Sequence, residues 1–280
     1  METFSRAGLT FDVVDSSEDP SVRTDKGTVV LLHGFPQTSH SWRLVTPILN
    51  QRGYRTIAPD QRGYSPQARP RGRFAYRISE LVSDIESLII QSDAGKVHLV
   101  GHDWGGQVAW ALAATRPDLV ETLTSISVPH PAAFVASIKQ SDQLRRSWYM
   151  GAFQLPALPE WMAQVRPQIF EKMLTDTGMD EAMIADTYER VINTESLTGG
   201  INWYRGLPFA NPKKTGRRIT VPTSHVWGAG DGALTRRGAE LTGNYVNADY
   251  RLHILEHASH WIPDQNASEL AEIILDRIEN

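Results

Sequence analysis

Apolar residues fall along this chain in two alternating rhythms. Aliphatic and β-branched runs at 28–32, 54–58, 97–100, 123–128, 219–227 and 250–255 read as buried strands, and a weaker alternation at 9–14 reads as an edge strand. Between them lie helical stripes. One helix is expected at about 41–51. Ile78, Leu81, Val82, Ile85, Leu88 and Ile89 form one apolar face. Val108, Ala109, Leu112 and Ala113 form a second that stops before Pro117, and Leu270, Ile273, Ile274 and Ile278 form the last, opened by Pro263. Strands alternating with helices predict a mostly parallel sheet covered on both faces. From 132 to 212 the rhythm changes to helical fragments separated by Pro156, Pro159, Pro167 and Pro208, with aromatic residues concentrated there. The chain therefore reads as a core domain built from 1–131 and 213–280, carrying a helical lid, 132–212, inserted between two strands. An apolar pocket is expected beneath that lid.

The sharpest local signal follows the 97–100 run. Gly101-His102-Asp103-Trp104-Gly105-Gly106 joins a strand directly to a helix, with glycines two before and two after Asp103. That is the pattern of a nucleophile elbow, a strained turn that presents one side chain at its tip. The tip here is an aspartate and not a serine. A carboxylate nucleophile attacks an sp3 carbon and forms an alkyl ester, so serine-esterase chemistry is disfavoured. Asp231, between Gly230 and Gly232 after the 219–227 strand, and His260, beyond the 250–255 strand, complete the chain order nucleophile, acid, histidine. His257 lies nearer its strand end and reads as structural, and His33 and His102 read as satisfied turn histidines. The loop His33-Gly34-Phe35-Pro36 ends an earlier strand and places the Phe35 N–H toward the elbow. With the Trp104 N–H it would form an oxyanion hole. Asp60 and Arg62 read as a local charged turn, and the arginines of 69–77 as a solvated loop.

Composition changes this picture little. The chain has 280 residues, 41% hydrophobic and 21% charged, with a formal net charge of -4. No block of like charge suggests a nucleic-acid or anionic-membrane partner. The absence of cysteine excludes disulfides, thiolate metal sites and a thiol nucleophile. The proposed chemistry calls for no cofactor and no metal. No signal peptide is visible at the N-terminus, and no apolar run approaches the roughly 18 residues of a spanning helix, so a cytoplasmic protein is expected.

The leaving group decides the substrate of such a carboxylate. A halide needs only weak donors; an epoxide oxygen leaves as an alkoxide and needs a proton, which a phenol can supply at neutral pH. Lid tyrosines occur in Ser147-Trp148-Tyr149-Met150, ahead of Phe153-Gln154-Leu155-Pro156, and in Asn202-Trp203-Tyr204-Arg205. These segments, together with His33-Gly34-Phe35-Pro36, Asp60-Gln61-Arg62-Gly63-Tyr64-Ser65-Pro66, the Asp103 elbow and His260-Trp261, resemble the epoxide hydrolases of the α/β-hydrolase fold over nearly the whole chain. The resemblance implies that Tyr149 and Tyr204 hold the epoxide oxygen and that Asp231 and His260 form the charge-relay pair. It also implies that Phe35, Trp104 and Trp261 contact an apolar epoxide, which is turned over with water alone. Gly151-Ala152 and Ala157 depart from the usual pattern, in which a bulkier residue and a glycine are common. The elbow block by itself fits haloalkane dehalogenases equally well; the tyrosine pair and Phe35, where dehalogenases usually place Asn, favour the epoxide hydrolase. A non-catalytic ligand receptor on the same fold is the remaining alternative, against which the intact Asp/His/Asp set argues. The oligomeric state stays open between monomer and homodimer.

Overall fold

Eight strands form one sheet in the computed structural model, which describes residues 1–22 and 24–280. They are β1 (Thr3–Arg6), β2 (Leu9–Asp15), β3 (Thr28–Leu32), β4 (Arg55–Pro59), β5 (Val97–His102), β6 (Val120–Ile126), β7 (Thr223–Gly228) and β8 (Tyr250–Leu255), in the spatial order β1-β2-β4-β3-β5-β6-β7-β8. β1 and β2 are antiparallel to their neighbours and every other pairing is parallel. In β3, Val30 and Leu32 join one apolar core while Val29 and Leu31 join the other, so the sheet is buried on both faces. Helices α1 (Thr46–Gln51), α2 (Ile78–Gln91) and α3 (Trp104–Thr115) follow β3, β4 and β5. All six residues of the expected α2 stripe are buried.

After β6 come only helices until β7 begins. These are α4 (Pro131–Ile138), α5 (Gln143–Arg146), α6 (Trp148–Ala152), α7 (Leu158–Val165), α8 (Pro167–Asp176), α9 (Glu181–Thr187), α10 (Ser196–Gly206) and α11 (Pro212–Thr215). The ends of this segment are seated on the core: α4 packs on α12 (Arg236–Thr242) and α11 on α3. The chain closes with α13 (Ile262–Gln265) and α14 (Ala267–Glu279). Among the described residues, no helix is long and apolar enough to cross a membrane.

Five local expectations are corrected. The sheet edge is β1, not the 9–14 strand. β1 has four residues and buries little beyond Phe4, which stacks on Phe11 at 4.5 Å, too short a stretch for an alternation to register. The single helix at 41–51 is a 3-10 turn, Ser39–Trp42, followed by α1, because Pro47 fits only the first turn of a helix. β7 starts after Pro222; Ile219 makes an isolated bridge to Val246. Asp60 and Arg62 do not pair. Arg62 is buried against Asp84, with two contacts of 2.7 Å, while Asp60 accepts the Ser39 N–H. Arg69 is not simply solvated either, since its guanidinium reaches the Tyr64 carbonyl and the Ser196 hydroxyl at 2.8 Å each.

That last contact belongs to the seam that holds α10 on the core. Trp203 donates its indole N–H to the Arg62 carbonyl at 2.8 Å. At Gly199 the helix backbone lies directly on Gly63: a Cβ there would stand 2.2 Å from the Gly63 carbonyl oxygen. Gly199→Ala is therefore expected to push α10 away and cost about 1–3 kcal/mol. A denaturant titration reads the loss, and an unchanged midpoint would refute the close approach.

Candidate active site

The parallel register brings the site together. Leu32 of β3 lies opposite Gly101 of β5, so the two strand ends deliver His33-Gly34-Phe35 beside Asp103. Asp231 follows β7 and His260 follows β8, both at the carboxyl ends of their strands, where open α/β sheets bind ligands. Asp103 sits between β5 and α3 at φ 50 and ψ -120, a conformation that L residues seldom adopt. The glycines make that turn possible. A Cβ on Gly101 would meet the Gly105 carbonyl oxygen at 2.3 Å, and one on Gly105 would meet the Leu32 carbonyl oxygen at 2.1 Å. The tip does not face bulk water; Asp103 is 9% exposed and looks into a cavity beneath α6 and α10.

Each oxygen of Asp103 has its own partner. Oδ1 accepts the Phe35 N–H at 2.9 Å, and Oδ2 is 3.6 Å from His260 Nε2. Burial works to raise the carboxyl pKa. The hydrogen bond and charge of His260, the His102 ring and the Trp104 N–H outweigh it and hold the group below its ordinary value. The α3 N-terminus favours the anion in the same direction. On the other face of the imidazole, His260 Nδ1 is 2.8 Å from Asp231 Oδ2. Asp231 Oδ1 accepts the Ala233 and Leu234 N–H groups, each at 2.8 Å, which leaves its second oxygen for the histidine. Burial pulls the His260 pKa down, but the Asp231 charge and the contacts with Asp103 raise it to about 10. With Asp103 ionised, His260 is therefore an imidazolium held between two carboxylates.

Tyr149 on α6 and Tyr204 on α10 both border the cavity that contains Asp103 and His260. Their rings meet edge to face at 5.8 Å. Burial first, and the Asp103 charge with it, pushes both phenols well above their ordinary pKa. Arg205 locks the two helices together. Its guanidinium donates to the Phe153 and Leu155 carbonyls at 3.0 and 2.7 Å and to Glu160 at 2.6 and 2.9 Å, while Gln154 Nε2 donates to the Tyr204 carbonyl at 2.7 Å. Phe35 and Trp261 line the same lobe, and Trp104 lines the adjoining one. Trp261 also donates its indole N–H to the Thr177 hydroxyl at 3.1 Å.

The remaining histidines divide as their surroundings dictate. His257 is exposed. His33 is buried with both ring nitrogens engaged, by Gln61 N–H and the Gly34 carbonyl. His102 is satisfied on one side only: Nε2 is 2.9 Å from the His260 carbonyl, and Nδ1 has no partner among the described residues. Burial lowers its pKa to about 4, so it is neutral at pH 7 and cannot replace His260 as a cation there. Residues absent from the sequence reading also shape the site. Gln143 holds the loop after Asp231 through the Ala233 carbonyl and the Thr235 N–H, both at 2.9 Å, and Arg146 donates to the Asp231 carbonyl at 2.7 Å. Nothing in their local pattern marks them, because their partners lie about 90 residues away along the chain. Ala157 stands at φ 59, the left-handed conformation that explains why glycine suits that position.

A family model described as an alpha/beta hydrolase fold matches residues 27–267. The chain is 35% identical over 266 residues to the AB hydrolase superfamily protein YfhM of Bacillus subtilis (strain 168), covering 92% of each. It is 33% identical over 279 residues to epoxide hydrolase 4 of Homo sapiens, covering 96% of this chain and 75% of that protein. Among solved structures, a Bacillus megaterium epoxide hydrolase in complex with an inhibitor superposes with a TM-score of 0.83 at 22% identity, covering 99% of this chain and 100% of that one. At that identity the superposition speaks for the fold alone.

Proposed function

This chain belongs to the α/β-hydrolase-fold family, and on that premise we propose that it is an epoxide hydrolase working through a covalent ester on Asp103. The observation that carries the reading is a single cavity bordered by an ionised carboxylate, a histidine backed by a second carboxylate, and two phenols. Its curated relatives named as epoxide hydrolases support the same conclusion. In this scheme residues 132–212 are a cap over the core formed by 1–131 and 213–280, and the cap supplies both phenols.

The epoxide oxygen lies against the hydroxyls of Tyr149 and Tyr204, which keep their protons at neutral pH. Asp103 attacks one ring carbon. The ring C–O bond breaks, its electron pair goes to oxygen, and that oxygen takes a proton from a phenol. The product is a 2-hydroxyalkyl ester of Asp103. Loss of the Asp103 charge removes two of the influences that keep His260 protonated, so the imidazolium gives up its proton, which replaces the one the phenol lost, and the neutral imidazole becomes a base. It then takes a proton from water, and the hydroxide adds to the ester carbonyl. The Phe35 and Trp104 N–H groups receive the developing oxyanion. Collapse expels the diol as an alkoxide, which takes the proton of the new Asp103 carboxyl, so Asp103 returns as a carboxylate and His260 as the imidazolium it began as. One water is consumed per turnover, and Phe35, Trp104 and Trp261 supply the apolar walls.

A single turnover in 18O-water tests the scheme. The label should enter Asp103 and the diol should leave unlabelled, because water attacks the ester carbonyl and not the sp3 carbon bonded to the ester oxygen. Label passing straight into diol would overturn the covalent route. Tyr149→Phe and Tyr204→Phe should each slow ester formation by about 10- to 10^4-fold while leaving ester hydrolysis unaltered. Rapid-quench kinetics separates the two steps, and full-rate ester formation by both variants would remove the phenols from the reaction.

A further inference from the structure

The catalytic cavity has two lobes that meet at Asp103, Tyr149 and Tyr204. The smaller lobe, about 50 Å³, ends against Phe153 and Met173. A separate groove of about 80 Å³ lies in the cap between α6, α7 and α8. Phe153 and Met173 border that groove as well, and Phe170, which also borders it, stacks on Phe153 with ring centroids 6.4 Å apart. Two side chains thus belong to both spaces, and the partition between groove and reaction chamber there is one side chain thick. Phe153 is buried and pinned by its ring contacts with Phe35 and Tyr204. Met173 is unbranched, partly buried and free to change rotamer. The rest of the groove is apolar, and its rim is unusually exposed: Trp148 is 62%, Ile169 50% and Leu158 40% accessible. A cluster of apolar residues in that state marks a site where something apolar binds.

We propose that this groove is a distal subsite, reached past Met173, for the apolar arm of a long-chain epoxide. The inference rests on the epoxide-hydrolase reading and names its substrate class: epoxides that carry an extended, flexible hydrocarbon arm. The arm is the occupant because the groove shares its inner wall with the reaction chamber. A protein helix, about 10 Å across with its side chains, does not fit so small a space. With the ring at Asp103, the arm fills the inner lobe, displaces the Met173 side chain and ends against Leu158 and Ile169.

The test is a series of straight-chain terminal epoxides from epoxybutane to epoxydodecane, assayed with the wild-type enzyme, Ile169→Trp and Met173→Phe. For the wild type, kcat/KM should keep rising, by up to about fourfold per methylene, after the arm has outgrown the inner lobe. Either substitution should flatten that upper part of the series, lowering the ratio of long-chain to short-chain kcat/KM by about tenfold or more. Using the ratio removes any general loss caused by imperfect folding. A wild-type profile that levels off at the short members, or a slope retained by both variants, would overturn the subsite. Failure to open any epoxide in the series would instead overturn the activity on which it rests.

Discussion

Asp103→Asn is expected to abolish steady-state diol formation, a loss of at least about 10^4-fold, while the chain still folds. The amide oxygen of asparagine carries no charge and is a poor nucleophile toward an sp3 carbon, so no ester forms. The fold should survive for a local reason. Asp103 stands at φ 50, and asparagine is among the few residues other than glycine that tolerate a positive φ. Its side-chain oxygen can still accept the Phe35 N–H that now meets Oδ1. Purified Asp103→Asn should therefore show the far-ultraviolet spectrum and melting behaviour of the wild type with no product in a prolonged assay. Substantial residual turnover would move the nucleophile elsewhere.

His260→Ala should produce the complementary result, a trapped intermediate. Ester formation draws on Asp103 and the phenols, whereas ester hydrolysis needs a base within reach of Asp103, and His260 Nε2 is 3.6 Å from it. The variant should consume about one equivalent of epoxide and stop. Intact-protein mass spectrometry should then show the mass of one epoxide added, and peptide mapping should place it on Asp103. An unmodified His260→Ala protein after substrate addition would count against the separation of roles. The wild type should show a weaker form of the same effect with pH. His260 has its pKa raised to about 10 while Asp103 is charged, and burial together with loss of that charge lowers it once the ester forms. A raised pKa means the protonated form persists as pH increases, so the base form is scarce on the acid side. Ester hydrolysis should speed up as pH rises and level off at a pH below 10, with ester accumulating at the acid end.

The elbow and the layered sheet were legible because each has a strong local cause. The strand-to-helix turn with glycines on either side of Asp103 can hold a side chain in only one way, and short buried parallel strands separated by amphipathic helices imply a doubly covered sheet. His260, further into its loop than His257, is the one the structure buries beside Asp231, while His257 is exposed. Tyr149 and Tyr204 were singled out by their motifs, and their meeting at one cavity depends on the Gly199–Gly63 seam and on Arg205, which are contacts between distant segments.

What local pattern determined, then, was most of the strands of a doubly covered sheet and the aspartate at the tip of the turn. Only the folded chain decided where charges balance: Arg62 chose Asp84 over its neighbour Asp60, and Gln143 and Arg146 came from α5 to hold the loop of Asp231. The reason is physical. Strand and helix periodicity are written in adjacent residues, whereas a buried charge takes whichever partner the packing brings within hydrogen-bonding distance, and desolvation penalises every other choice.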